Sequence, residues 1–171
     1  MKLKENFSNR RSNLLSFDIE DWFQVPFVSD VVRRDEWNKM PSVVQDGTIS
    51  IINLLKKYNI KATFFILGWI AERYPDLVQI IADNGHEIAS HGYNHQTLDT
   101  ISPIELSEDL QKSIEIIEKL TNKKPLGYRA PMGSIGYKNK WVLETLKDNG
   151  FKYDSSIYTT NFFVHSGSKN I

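Results

Sequence analysis

A chain of 171 residues with 40% hydrophobic residues is sized for one domain with a sizeable core. Its 21 basic and 21 acidic side chains cancel, which removes the electrostatic reason to expect nucleic acid or an anionic membrane surface as partner. The lack of cysteine excludes disulfides and thiolate metal sites, so a metal here would rest on histidine and carboxylate ligands.

Residues 1–12, MKLKENFSNRRS, read as a polar N-terminal tail without the apolar stretch of a secretory signal. No later run approaches the roughly 20 apolar residues of a membrane span, so the expectation is a soluble, cytoplasmic protein. The domain itself is expected over residues 13–171. Residues 13–19 (NLLSFDI) form the first strand candidate, and residues 42–58 carry apolar residues at helical spacing, Ile52 and Leu55 among them. The nearly continuous apolar run at 61–67 (KATFFIL) suits a strand covered on both faces. A helix is expected over 75–84, with Pro75 in its first turn and Gly85 as a left-handed cap. Residues 86–90 (HEIAS) make a third strand.

Ser102-Pro103-Ile104-Glu105 is a capping box with proline at the first helical position, and Leu106, Leu110, Ile114 and Ile117 continue one face of the helix it starts. Residues 125–130 are extended, 141–149 helical with Gly150 after them, and 151–154 (FKYD) a fifth strand. Repeated strand-helix-strand units imply a parallel sheet with helices outside it. A barrel or an open doubly wound sheet satisfies that alternation equally. The unusual polar residues fall at strand C-terminal ends: Asp18, Glu20 and Asp21, then His91, Arg129 and Asp154. Strand C-termini converge on one face in parallel α/β folds, which favours a barrel-like site. A common closed barrel needs more than five strands, so the domain is expected to be incomplete.

In Ser90-His91-Gly92-Tyr93-Asn94-His95, two histidines four residues apart would lie on one side of a helical turn, able to face one cation. Chance pairs of this kind are common; the setting, a strand end followed by glycine, is what favours a metal. His86 opens a strand and is expected to be a structural imidazole bonded to backbone, while His165 has no assigned role. Asp18, Glu20 and Asp21 end an apolar strand flanked by Leu14, Leu15, Phe17, Trp22 and Phe23. Three carboxylates so placed are costly unless a cation neutralises them or water solvates them. In extended chain Asp18 and Glu20 share one side, and Asp21 joins them if the strand turns. Two histidines and a carboxylate leave coordination positions open, and a second carboxylate can act as base, so the residues alone point to metal-assisted hydrolysis.

The ordered series FDIEDWFQV, ATFFILGW, GHEIASHGYNH, GYRAP and YDSS resembles the polysaccharide deacetylase (NodB homology) family, carbohydrate esterase family 4. The FDxEDWF opening is closest to deacetylases of exopolysaccharide and exosortase loci. The resemblance implies an α/β fold, a (β/α) barrel with fewer than eight strands, truncated at its C-terminus. It also implies removal of N-acetyl groups from an acetylated polysaccharide and a divalent metal, with zinc the first choice. On the matching positions, Asp18 is the catalytic base and His91 and His95 are metal ligands. The family's second aspartate falls on Ile19, which passes the acidic ligand to Glu20 or Asp21, with Glu20 preferred. Arg129 matches the arginine that pairs with the base, and Asp154 a supporting group near it. Pro131 would aim the Met132 N–H at an oxyanion. Trp22, Phe23, Trp69 and Tyr93 are candidates for a sugar groove, with core packing the commoner fate of such residues. A late leucine-histidine motif, the expected proton donor to the leaving amine, would lie beyond Ile171. Two other readings remain: a small-amide hydrolase of the same superfamily, and a non-catalytic carbohydrate-binding protein.

Overall fold

The computed structural model describes residues 13–28 and 31–157. Five short strands, β1 Ser16–Ile19, β2 Thr63–Ile66, β3 Glu87–Ser90, β4 Gly127–Tyr128 and β5 Tyr153–Asp154, form one sheet. Every neighbouring pair is parallel, and the spatial order is β1-β2-β3-β4-β5. A doubly wound sheet reverses its strand order at a switch point, whereas this order never reverses. The sheet is therefore singly wound, as in a barrel wall, with β1 and β5 at its edges among the described residues. It also curls. Flat strands spaced ~4.8 Å apart would put β1 and β4 ~14 Å from each other, yet Arg129, directly after β4, bonds Ser16 and Asp18 on β1.

The helices are α1 Val44–Lys57, α2 Gly68–Arg73, α3 Pro75–Asp83, α4 Pro103–Thr121 and α5 Trp141–Asp148. Strand residues alternate between two faces. Phe64 and Ile66 turn outward into a core shared with Ile52, Leu55, Ile70, Leu77 and Ile81. Tyr128 joins a second core with Leu106, Leu110, Val142, Leu146 and Phe151. Helix α4 serves both, because Ile116 and Leu120 pack on the first core while Leu106 and Leu110 belong to the second. The inner face carries polar groups beside Phe65 and Ala89: Thr63 and Tyr153 both donate to Glu87, at 2.6 and 2.8 Å.

The helix signals are realised in atomic detail. Ser102 Oγ accepts from Glu105 N at 3.3 Å and Glu105 returns an oxygen to Ser102 N at 2.7 Å. Gly85 (φ 72) and Gly150 (φ 91) follow α3 and α5 in the left-handed region. Not expected were α2 and the 3₁₀ helices at Trp22–Gln24, Pro26–Val28 and Arg34–Lys39, which fill the β1–α1 connection. The first strand starts later than predicted, and Leu14 remains 91% exposed. His86 is buried, with Nδ1 accepting from Ala62 N at 3.3 Å. Among the described residues no helix is long and apolar enough to cross a membrane. The 1–12 tail and His165 lie outside the described residues.

Candidate metal centre and active site

Beyond the C-terminal ends of β1 and β3, Glu20, His91 and His95 each bring a ligand atom to within 4.8 Å of the others. His91 is 1% exposed, and its Nδ1 lies 2.7 Å from the Arg129 carbonyl. That carbonyl only accepts, so Nδ1 carries the proton and Nε2 keeps its lone pair. Burial pushes the His91 pKa down; Asp18 and Glu20 oppose this, and His95 reinforces it. His95 Nε2 lies 2.6 Å from Glu20 Oε2, but the contact is not aligned as a hydrogen bond, and both atoms are buried without a hydrogen-bond partner. Burial would raise the Glu20 carboxyl, yet the two imidazoles outweigh it and hold the pKa below the ordinary value. Unpartnered buried donors and acceptors are costly, and a divalent ion would satisfy all three side chains at once. The donor set fits such an ion and leaves coordination positions open.

The two histidines do not meet on a helical turn, as their spacing had suggested. The segment is a loop in which Gly92 (φ 74) and His95 (φ 54) are left-handed. This conformation costs a non-glycine residue ~1–2 kcal/mol, and here it folds His95 back until its ring centroid is 5.1 Å from that of His91.

Asp18 stands beside this cluster on the inner face. Its Oδ1 accepts from Arg129 Nη1 at 2.6 Å. Arg129 also donates to Ser155 O and Oγ, both at 3.0 Å, and to Ser16 Oγ at 2.8 Å, and its guanidinium carbon lies 4.0 Å from the Phe65 ring centroid. With 11% of its side chain exposed, this arginine is unlike a solvated surface partner. Asp154 does not touch it. Its carboxylate accepts from Ser156 N and Oγ, and Ser156 Oγ accepts from Ala130 N at 2.7 Å. Burial raises the Asp154 carboxyl, with the Ser156 bonds and Arg129 working against it. Asp154 thus orders the segment that holds Arg129. Ser16 and Ser155 were not assigned by sequence reasoning, although Ser155 sits in the YDSS motif. Past Arg129, Pro131–Gly133 forms a tight turn with Met132 left-handed at φ 55.

Several assignments from sequence need correction. Asp21 is not with the histidines: it is 1% exposed, and its oxygens accept from Trp22 N, Val43 N and Ser42 Oγ. The chain turns after Ile19, and Asp21 becomes the cap of a 3₁₀ helix. Tyr93 faces the helices rather than a groove, with its phenol on Glu72 and only 8% exposed. Phe23 is buried in the core, as expected for most of these aromatics, and the partly buried Trp69 meets Phe23 and Trp37 edge-to-face. Trp22 stays 43% exposed, its indole N–H on Pro41 O. A cavity of about 250 Å³ adjoins His95, lined by Phe23, Val32, Arg34, Trp37 and Thr97 among others.

The family profile for polysaccharide deacetylase matches residues 35–153. That stretch holds His91, His95 and Arg129, while Asp18, Glu20 and Asp154 lie outside it. A peptidoglycan deacetylase of Helicobacter pylori (strain ATCC 700392 / 26695) is 35% identical over 116 residues, 68% of this chain and 39% of its own length. A peptidoglycan-N-acetylglucosamine deacetylase of Bacillus cereus is 39% identical over 98 residues, 57% of this chain and 36% of its own length. The chain therefore spans less than half the length of these curated relatives. A Mycobacterium smegmatis structure assigned to the polysaccharide deacetylases superposes with a TM-score of 0.71 at 28% identity, over 86% of this chain and 51% of that one. A profile running through the histidine loop and the arginine motif, on a singly wound parallel wall that superposes on a NodB-type barrel, establishes that the chain belongs to the polysaccharide deacetylase family.

Proposed function

We propose that this chain carries the catalytic centre of a metal-dependent hydrolase that removes N-acetyl groups from an N-acetylhexosamine polymer and releases acetate. The observation that carries the reading is the Arg129-held carboxylate of Asp18 beside the Glu20–His91–His95 cluster, whose two imidazoles are buried. A binding module has no use for a base next to a metal site.

His91, His95 and Glu20 would hold the ion, and zinc suits two neutral imidazoles and a carboxylate. A bound divalent ion supplies Lewis acidity toward a carbonyl and makes water easier to deprotonate. Asp18 then takes the proton of the attacking water, and its Oδ1 bond to Arg129 fixes the direction from which it does so. The Met132 N–H, presented by the turn at Pro131, is the donor for the oxyanion that forms as the acetamide is attacked. The cavity beside His95 is below the volume of drug-sized ligand sites and is of a size for a single sugar ring. The exposed face of Trp22 offers a second stacking surface.

Two acetylated glycans are in view as substrate. The relatives' names favour peptidoglycan, and the FDxEDWF opening favours an exopolysaccharide. The test is metal content and acetate release from both polymers, for the wild type beside His91→Ala. Bound metal that vanishes in the variant, together with acetate from one polymer, is the expected result. A wild type that takes up no metal would overturn the hydrolase reading.

A further inference from the structure

The loop joining His91 to His95 has no regular structure, yet every backbone polar group of the three residues between them is bonded. Gly92 N donates to Ser90 Oγ at 3.1 Å, and Gly92 O accepts from Gly68 N at 2.7 Å. Tyr93 O accepts from Trp69 N at 3.3 Å, and Asn94 O from the Arg34 guanidinium. The remaining two N–H groups, those of Tyr93 and Asn94, converge on one carboxylate: Asp109 Oδ2 at 2.7 Å and Asp109 Oδ1 at 2.9 Å.

Asp109 belongs to α4, far from the histidines in sequence, and it touches neither imidazole in any hydrogen bond. Its approach depends on Gly92, where an added Cβ would lie 2.8 Å from Asp109 Oδ2. The contacts around it resist sliding of the loop. The Tyr93 phenol is tied to Glu72 on α2, and the Lys112 ammonium, one turn of α4 further on, lies 3.6 Å from the Tyr93 ring centroid. Left alone, His95 would relax from its left-handed backbone toward ordinary angles and move away from His91. Two charge-assisted bonds to adjacent amides, immediately before His95, oppose that relaxation where it matters.

We propose that Asp109 is a positioning residue of the metal centre: by clamping the Tyr93 and Asn94 amides it sets His95 against His91 and Glu20 before the ion arrives. The inference rests on the metal-centre reading above and adds a residue to it. Asp109 acts through the backbone, as outer partners of metal ligands do, and loss of such partners commonly weakens metal binding by ~10–100-fold.

The experiment compares Zn2+ affinity, by competition with a chromogenic chelator well below the unfolding temperature, for wild type, Asp109→Asn and Glu108→Gln. An asparagine keeps the shape but offers one acceptor and turns an NH2 toward the other amide. Asp109→Asn should bind Zn2+ at least ~10-fold more weakly and change the Co2+ absorption spectrum, while the exposed neighbour Glu108→Gln matches wild type. An Asp109→Asn affinity equal to wild type overturns the proposal. Should that variant not fold, the metal-free wild type decides: Tyr93 and Asn94 amides that exchange as slowly as core amides support the clamp, and fast exchange overturns it. A wild type that binds no Zn2+ overturns the metal-centre reading and this role together, a result distinct from a metal-binding wild type matched by Asp109→Asn.

Discussion

Glu20 and Asp21 are adjacent carboxylates just past β1, and their environments assign them different work. Glu20 has a buried oxygen with no hydrogen-bond partner, facing two imidazoles. Asp21 has its oxygens filled by Ser42, Val43 and Trp22. Glu20→Ala should therefore abolish metal uptake while the unfolding midpoint of the metal-free chain moves little. Asp21→Ala should leave the Ser42 and Val43 donors without their acceptor and cost ~1–3 kcal/mol, with metal still bound. Urea unfolding and metal titration of the two variants check this, and an exchange of the two phenotypes would make Asp21 the ligand. The acidic cluster was legible in sequence because three acids at an apolar strand end are unusual. Which acid faces the histidines was not, because that depends on the strand stopping at Ile19. Asp18 lies outside the ligand cluster, so Asp18→Asn should keep the metal and lose turnover by ~10²–10⁴-fold, read as acetate release at equal metal content. Retained turnover would remove Asp18 as the base.

At the scale of elements, the long helices and the apolar strands were legible because their periodicity and caps agree. Helix α4 is the clearest case, with Ser102 at its N-cap, Pro103 next, and Leu106, Leu110 and Ile117 buried along one face. Ser102→Ala should cost ~1 kcal/mol of stability, measurable as a lower urea midpoint. Because α4 also carries Asp109, fraying from that end should raise amide exchange in the 91–95 loop before the sheet opens; unchanged loop exchange in Ser102→Ala would show the two are uncoupled. Helix α2 escaped prediction because six residues are too few to display a period, and Leu67, its N-cap, reads as the tail of the apolar strand. The His91–His95 segment misled in the opposite sense. Spacing of four suits a helix, but Gly92 and His95 are left-handed, and the loop is held by α2 and α4, which come from distant sequence. No local pattern encodes such a clamp, and Asp109 reads in isolation as one more polar residue on a helix.

For the whole molecule, alternation of strands and helices announced a parallel sheet, while the choice between barrel wall and open sheet had to wait for strand order, which is a property of pairing. The curled wall carries its imidazoles into dry surroundings, and this makes acid stability a global test of the arrangement. Burial lowers the pKa of His91, and burial with nearby Lys61 lowers that of His86. In the unfolded chain both return to about 6.5. As pH falls through that value the unfolded chain takes up protons that the folded chain refuses, so stability is fully present above it and is lost below, by up to ~1.4 kcal/mol per pH unit for each imidazole. Asp109 and Asp154 have the opposite sign, since burial raises their pKa values above the ordinary 3.8, and they offset part of this loss wherever their raised values reach that range. The metal-free protein should accordingly hold a constant urea midpoint from pH 8 to 7 and lose stability as pH falls below about 6.5. His86→Gln, which keeps an acceptor for Ala62 N, should flatten part of that slope, and adding His91→Gln should flatten most of the rest. Saturating Zn2+ should raise the midpoint at neutral pH, and this gain should shrink on acidification because protons compete for the same ring nitrogens. A metal-free wild type whose midpoint shows no loss as pH falls below about 6.5 would argue against the lowered pKa values of His86 and His91.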